Sequence, residues 1–208
     1  MIFNKHPKFS ETHALLSPSQ PHWINYDRQR LIDFYDTNGA QEKGTRLHAL
    51  LAEAITCNRL YGIPNSNAFG VEDTFGMYFH DACEFKMTPE VTLVYSDICY
   101  GHADAIAFDE KNRLLRIHDY KSGFRKAEFL QLEVYAAQFF AEYSDTLKFD
   151  FELDPYQCFI ELRIYQNNEC RIETPTSNYI LDEVLGRIRE KHIWLSEELE
   201  RRGDNDIA

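Results

Sequence analysis

Asp104, Asp119 and Lys121 are the residues of this chain whose types and spacing suit chemistry. Side chains at i and i+2 of a strand share a face. Asp119 and Lys121, separated only by Tyr120, should therefore point the same way as Leu115 and Ile117. On the preceding strand Asp104 follows the alternation of Tyr100, His102, Ile106 and Phe108, and a hairpin brings it alongside Asp119. Close carboxylates repel unless a proton or a cation lies between them, and a hard divalent ion takes oxygen ligands while leaving positions for water and a substrate phosphate. Such an ion lowers the pKa of a bound water and neutralises charge developing on a phosphate, and a neighbouring ammonium orients the water or stabilises the transition state. Phosphodiester hydrolysis is the reaction these parts suit.

Periodicity predicts the elements that must position this trio. Ser17-Pro18-Ser19-Gln20-Pro21 reads as turn, and 23–35 as a short helix. From Gln41, residues Leu47, Leu50, Leu51, Ala54 and Ile55 fall on one helical face, with His48 on its flank, where it can look into a cleft. Gly62, Pro64, Gly70 and Gly76 make 61–88 a loop with a short helix at 78–85, and Tyr78, Phe79 and Phe85 are expected in core packing rather than along a DNA channel. Strands are expected at 91–95, 100–108 and 114–120, with Asp109-Glu110-Lys111-Asn112 as the hairpin turn between the last two. A helix over 126–143 carries Leu130, Val134, Ala137 and Ala141 on one face and Gln131 and Tyr135 on another. A strand at 156–165, a turn at Asn167-Asn168, a closing helix at about 178–200 and a frayed tail complete the chain. This order predicts a single α/β domain over 1–208 with a core at about 40–166.

The net charge of −12 opposes binding to a polyphosphate on average, but Lys111, Arg113, Arg116, Lys121, Arg125 and Lys126 are expected to form a local basic lip. Cys57, Cys83, Cys99, Cys158 and Cys170 are odd in number and hold no C-x-x-C pair, which suggests neither a disulfide framework nor a zinc ribbon and predicts reduced core thiols. No apolar run spans a bilayer, and the opening residues, with His6, Lys8 and Glu11, are unlike a signal peptide, so a soluble cytoplasmic protein is expected. There is no G-x-x-x-x-G-K-[ST] loop, so any motor is a separate protein.

Gly44-Thr45-Arg46-Leu47-His48, Gly101-His102-Ala103-Asp104-Ala105, Ile117-His118-Asp119-Tyr120-Lys121-Ser122-Gly123 and Gln131-Leu132-Glu133-Val134-Tyr135 resemble, in order and spacing, the four motifs of RecB-like nucleases of the PD-(D/E)XK superfamily, here of phage type. The resemblance covers about residues 17–165. It implies a restriction-endonuclease-like core: a helix, three strands beginning antiparallel, a helix and a further strand, with extra N- and C-terminal helices. It implies that His48, Asp104 and Asp119 ligate Mn²⁺ or Mg²⁺ with the backbone carbonyl of Tyr120, and that Lys121 is catalytic. Gln131 and Tyr135 match the Q-x-x-x-Y motif that helps arrange the site and the DNA, Arg125 and Lys126 stand as supporting DNA contacts, and Glu90 sits where relatives often carry an acid. His102 and His118, beside the two aspartates, are expected to be structural, with a ligand role left open. An imidazole among oxygens shifts preference toward Mn²⁺. Cas4-like members hold an iron–sulfur cluster through one early and three late cysteines; only Cys158 and Cys170 lie late here, so no cluster is expected.

The implied function is a DNA exonuclease of recombination, repair or phage replication, acting on single- or double-stranded DNA in a bacterial or phage-infected cell. Its expected partners are a recombinase, annealing protein or helicase, and ring-forming relatives extend the expectation to a homo-oligomer. The competing expectations are a non-catalytic module that binds DNA or protein on the same fold, and an acidic regulatory protein that mimics DNA charge.

Overall fold

Alternating apolar residues between 88 and 120 build an antiparallel meander of β1 (Thr88–Ser96), β2 (Cys99–Asp109) and β3 (Leu114–Tyr120). The turn between β2 and β3 is held by Asp109, whose Oδ1 accepts the Asn112 amide at 3.0 Å. The structure is a computed structural model describing residues 1–10, 12–38, 46–61 and 73–203, with the side chains of 1–10, 12–36, 51–58 and 73–203. β4 (Phe159–Gln166) lies parallel to β3, and β5 (Glu169–Glu173) returns antiparallel to β4, giving a five-stranded mixed sheet in the order β1-β2-β3-β4-β5. Parallel neighbours need a crossover, and α4 (Leu130–Asp145) supplies it between β3 and β4.

Both faces of the sheet are covered. Leu115 and Ile117 of β3 and Ile160, Leu162 and Ile164 of β4 join one buried cluster with Leu132, Tyr135, Phe139 and Tyr143 of α4. On the opposite face Ala105, Tyr120 and Tyr165 meet Leu51 and Ile55 of α2 (Arg46–Tyr61) and Tyr78, Phe79 and Ala82 of α3 (Thr74–Glu84). Each buried Leu, Ile or Phe among them contributes about 1.5–3 kcal/mol, so both layers hold the strand ends in place. α5 (Leu185–Arg202) packs on α4 and on α1 (Arg28–Asn38). The opening segment closes over the α4 side: the Asn4 amide donates to the Tyr143 hydroxyl at 2.8 Å, and Phe9 tilts against Tyr100 with ring centroids 4.3 Å apart. Among the described residues no helix is long and apolar enough to cross a membrane.

Several boundaries differ from the sequence expectation for identifiable reasons. The helix expected at 23–35 is a 3₁₀ turn, Pro21–Asn25, followed by α1, because Tyr26 is extended and Asp27 Oδ1 caps the next turn through the Arg30 amide at 2.9 Å. α3 starts before residue 78 because Asp73 accepts the Gly76 amide at 2.6 Å. β4 starts at Phe159 rather than 156 because Pro155–Gln157 forms a 3₁₀ turn capped by Asp154. Asn167 and Asn168 both adopt left-handed φ, 54° and 60°, the geometry of a two-residue hairpin, and β5 follows where no strand was expected. The tail beyond Gly203 lies outside the described residues.

Candidate functional site

The β2/β3 ladder pairs Ala105 with His118. Extending its register by one residue puts Asp104 across from Asp119, on the face covered by α4. There the backbone amide of Tyr120 donates to Asp104 Oδ2 at 2.9 Å. Asp119 is 1% exposed. A buried carboxylate requires a charged or hydrogen-bonding partner, and Lys121 supplies one: its Nζ donates to Asp119 Oδ1 at 3.0 Å and to Gln131 Oε1 at 2.9 Å. The amide of Gln131 reaches the Tyr135 hydroxyl at 3.4 Å, and that hydroxyl donates to the backbone carbonyl of His102 at 2.6 Å. A continuous path, Asp119–Lys121–Gln131–Tyr135–His102, thus ties β3 to α4 and α4 to β2.

The electrostatics of this corner are acidic. Burial pushes the Tyr135 phenol far above its ordinary range, and the charges of Asp104, Asp119 and Glu90 add to that shift. The same three carboxylates reinforce the burial-driven rise at Tyr78, which approaches from the other side of the sheet. Glu90 is therefore part of the same field. Its φ of 50° is left-handed inside a strand, a conformation that costs a non-glycine residue about 1–3 kcal/mol and is characteristically retained at functional positions. The three carboxylates therefore act on one corner of the sheet, where Lys121 binds Asp119 at 3.0 Å.

No protein-family model matches the chain, and no curated protein sequence matches it. The chemistry of the site therefore rests on its own geometry. The side chains of Asp104 and Asp119 and the Tyr120 carbonyl offer oxygen, the donor type that a hard divalent ion takes in preference to a soft one. Among the described residues no three His, Cys, Asp or Glu side chains are grouped closely enough to hold a metal by themselves. His48 lies on α2, one turn ahead of Leu51, and its side chain is outside the described residues.

Other expectations are corrected. The basic lip does not gather. Arg116 bonds Glu161 at 3.1 Å and lies 4.3 Å over the Phe85 ring, on the face opposite Asp119, and Arg113 bonds Gln157 at 3.2 Å at the far end of β3. Lys111 sits with Arg113 at that far end, in the β2–β3 turn. Of the six cations only Lys121 touches the carboxylates; Arg125 and Lys126 are exposed on the segment that follows it. His118 also faces away, buried beside Phe85, with Nδ1 3.2 Å from the Tyr165 hydroxyl. Burial drives its pKa well below the usual histidine value, and its place on the face opposite Asp119 keeps its ring away from the two aspartates. His102 has both ring nitrogens engaged, Nδ1 with the Thr92 hydroxyl at 2.9 Å and Nε2 with the Thr12 carbonyl at 3.4 Å, so it too serves structure. Tyr78 and Phe79 are core residues, as expected. All five cysteines are free thiols, and burial pushes that of Cys99 up to about 12.

Gly101 owes its identity to this corner. A Cβ there would lie 2.6 Å from Pro18 Cδ and 3.0 Å from Tyr135 Cε1. The proline ring is rigid and Tyr135 is pinned through its hydroxyl, so neither can yield cheaply. Gly101→Ala is expected to destabilise the chain by about 1–3 kcal/mol through overpacking, read as a lower Tm in thermal unfolding followed by circular dichroism. An unchanged Tm would show that Pro18 moves aside freely.

Proposed function

We propose that this chain is a metal-dependent deoxyribonuclease with a PD-(D/E)XK core, hydrolysing DNA phosphodiesters as an exonuclease of recombination, repair or phage replication. The observation that carries the reading is the Lys121 ammonium held 3.0 Å from Asp119 and 2.9 Å from Gln131, beside Asp104, at the end of a β-meander. The helix, meander, crossover helix and parallel strand succeed one another in the order such a core requires. Asp104, Asp119, the Tyr120 carbonyl and His48 would hold Mn²⁺ or Mg²⁺. When bound, the ion supplies an acidified water and offsets charge developing on phosphorus.

The chain's own residues do the rest. Lys121 has three N–H donors, and two are directed by Asp119 and Gln131, which leaves the third to meet a water or a non-bridging phosphate oxygen. Gln131 keeps the ammonium aimed, and Tyr135 keeps Gln131 in place by anchoring to the His102 carbonyl. Exonuclease action rests on the resemblance alone.

Labelled linear and circular DNA incubated with Mn²⁺, Mg²⁺ or a chelator tests the reading. Expected are metal-dependent loss of the linear strands and survival of the circle. Cleavage that persists in chelator, or no cleavage of any substrate, would overturn it, and nicking of the circle would replace exonuclease by endonuclease.

A further inference from the structure

Between β3 and α4 the chain forms no regular element, yet it is tied down on both sides of one residue. Gln166, buried at the end of β4, donates through Nε2 to the carbonyls of Gly123 at 2.6 Å and Arg125 at 2.8 Å, and its Oε1 accepts the Ala127 amide at 3.0 Å. Arg171 of β5 donates to the Ala127 carbonyl at 2.7 Å. These bonds also bear on why α4 begins at Leu130 rather than 126: the Arg125 and Ala127 carbonyls, which a helix begun at 126 would pair with the amides of residues 129 and 131, are already taken. Between the clamped carbonyls stands Phe124, 94% exposed.

An exposed apolar side chain alone means little. Phe124 differs from Phe149 and Phe159, also exposed, in its company. Exposed Arg125 and Lys126 follow it directly, and Lys121, on the Asp119 carboxylate, precedes it by three residues, a span of at most about 10 Å of extended chain. A ring in water beside two cations can stack on a nucleobase while the cations meet flanking phosphates. Clamping by Gln166 presents the ring with little backbone freedom left to lose on binding.

We propose that Phe124 is a stacking platform for an unpaired base of a DNA strand, with Arg125 and Lys126 on the adjacent phosphates. The platform rests on the nuclease reading only for its purpose, which is to set the strand in register with the carboxylates.

Fluorescence anisotropy of a labelled single-stranded oligonucleotide in Ca²⁺ tests it on the full chain and on Phe124→Ala and Phe124→Trp. Phe124→Ala is expected to bind about tenfold more weakly, within the range for loss of one base–aromatic stack. Phe124→Trp is expected to bind as the unaltered chain does, with its indole emission quenched on binding. A strand abasic throughout should bind the unaltered chain and Phe124→Ala alike. Equal binding of the normal strand by Phe124→Ala, or an equal drop on the abasic strand, overturns the platform. So does a change confined to the oligomeric state on sedimentation, which would assign the ring to an interface between copies. Cleavage in Mn²⁺ with unaltered Phe124→Ala binding removes the platform and leaves the nuclease; stacking without cleavage does the reverse. No binding of DNA by the unaltered chain overturns both.

Discussion

Lys121→Ala is expected to lower the turnover of Mn²⁺-dependent DNA cleavage about a hundred- to a thousandfold, the loss seen when one preorganised donor is removed from a developing negative charge. Binding should not fall with it. Lys121 repels a cation, and its removal frees Asp119 from an ammonium 3.0 Å away, so metal affinity is expected to hold or rise. Single-turnover kinetics with enzyme in excess separate the two effects: the rate of the chemical step drops while the apparent affinity for DNA changes little. Lys121→Arg should recover only part of the rate, because the planar guanidinium cannot replace a compact ammonium fitted between Asp119 and Gln131. An unchanged chemical step in Lys121→Ala would reduce the residue to a structural ion pair.

Asp119→Asn should abolish stabilisation by metal without harming the fold. A ligand that binds only the folded chain stabilises it by about 2.7 kcal/mol at a hundredfold excess over its Kd, which for a chain of this size raises Tm by about 5–10 °C. The unaltered chain is expected to show this increment on addition of Mn²⁺, and Asp119→Asn to show none. The metal-free Tm of the variant should equal or exceed that of the unaltered chain. Asparagine fills the same volume, its carbonyl still accepts from Lys121, and one of three mutually repelling charges, with Asp104 and Glu90, is gone. Calorimetric scans with and without Mn²⁺ decide it; an increment retained in Asp119→Asn would place any bound ion elsewhere.

β3 is legible to the residue, because Leu115 and Ile117 alternate with Arg116 and His118 between a strong turn on one side and Lys121 on the other. The pairing of Asp119 with Lys121 followed from the period of two. The same period separates the expected basic lip and keeps His118 from the aspartates: Arg116 and His118 alternate with Ile117 and Asp119 and face the other way. The start of α4 was unreadable because the bonds that displace it come from Gln166, about forty positions later. β5 escaped because Glu169, Arg171 and Glu173 give it no strand-like composition, and only pairing with β4 defines it. The partner of Tyr135 is a backbone carbonyl, which has no sequence signature. The Lys121–Gln131 bond joins two residues singled out in the sequence, yet it depends on how α4 is rotated over the sheet.

Cleavage of an end-labelled DNA strand by the full chain in Mn²⁺, run beside Asp119→Asn and Lys121→Ala purified identically, bears most directly on whether this corner of the sheet hydrolyses phosphodiesters. The expected result is processing of the strand by the unaltered chain, none in chelator, and none above background in either variant. Equal processing by all three, or by none, would contradict a nuclease centre at Asp104, Asp119 and Lys121.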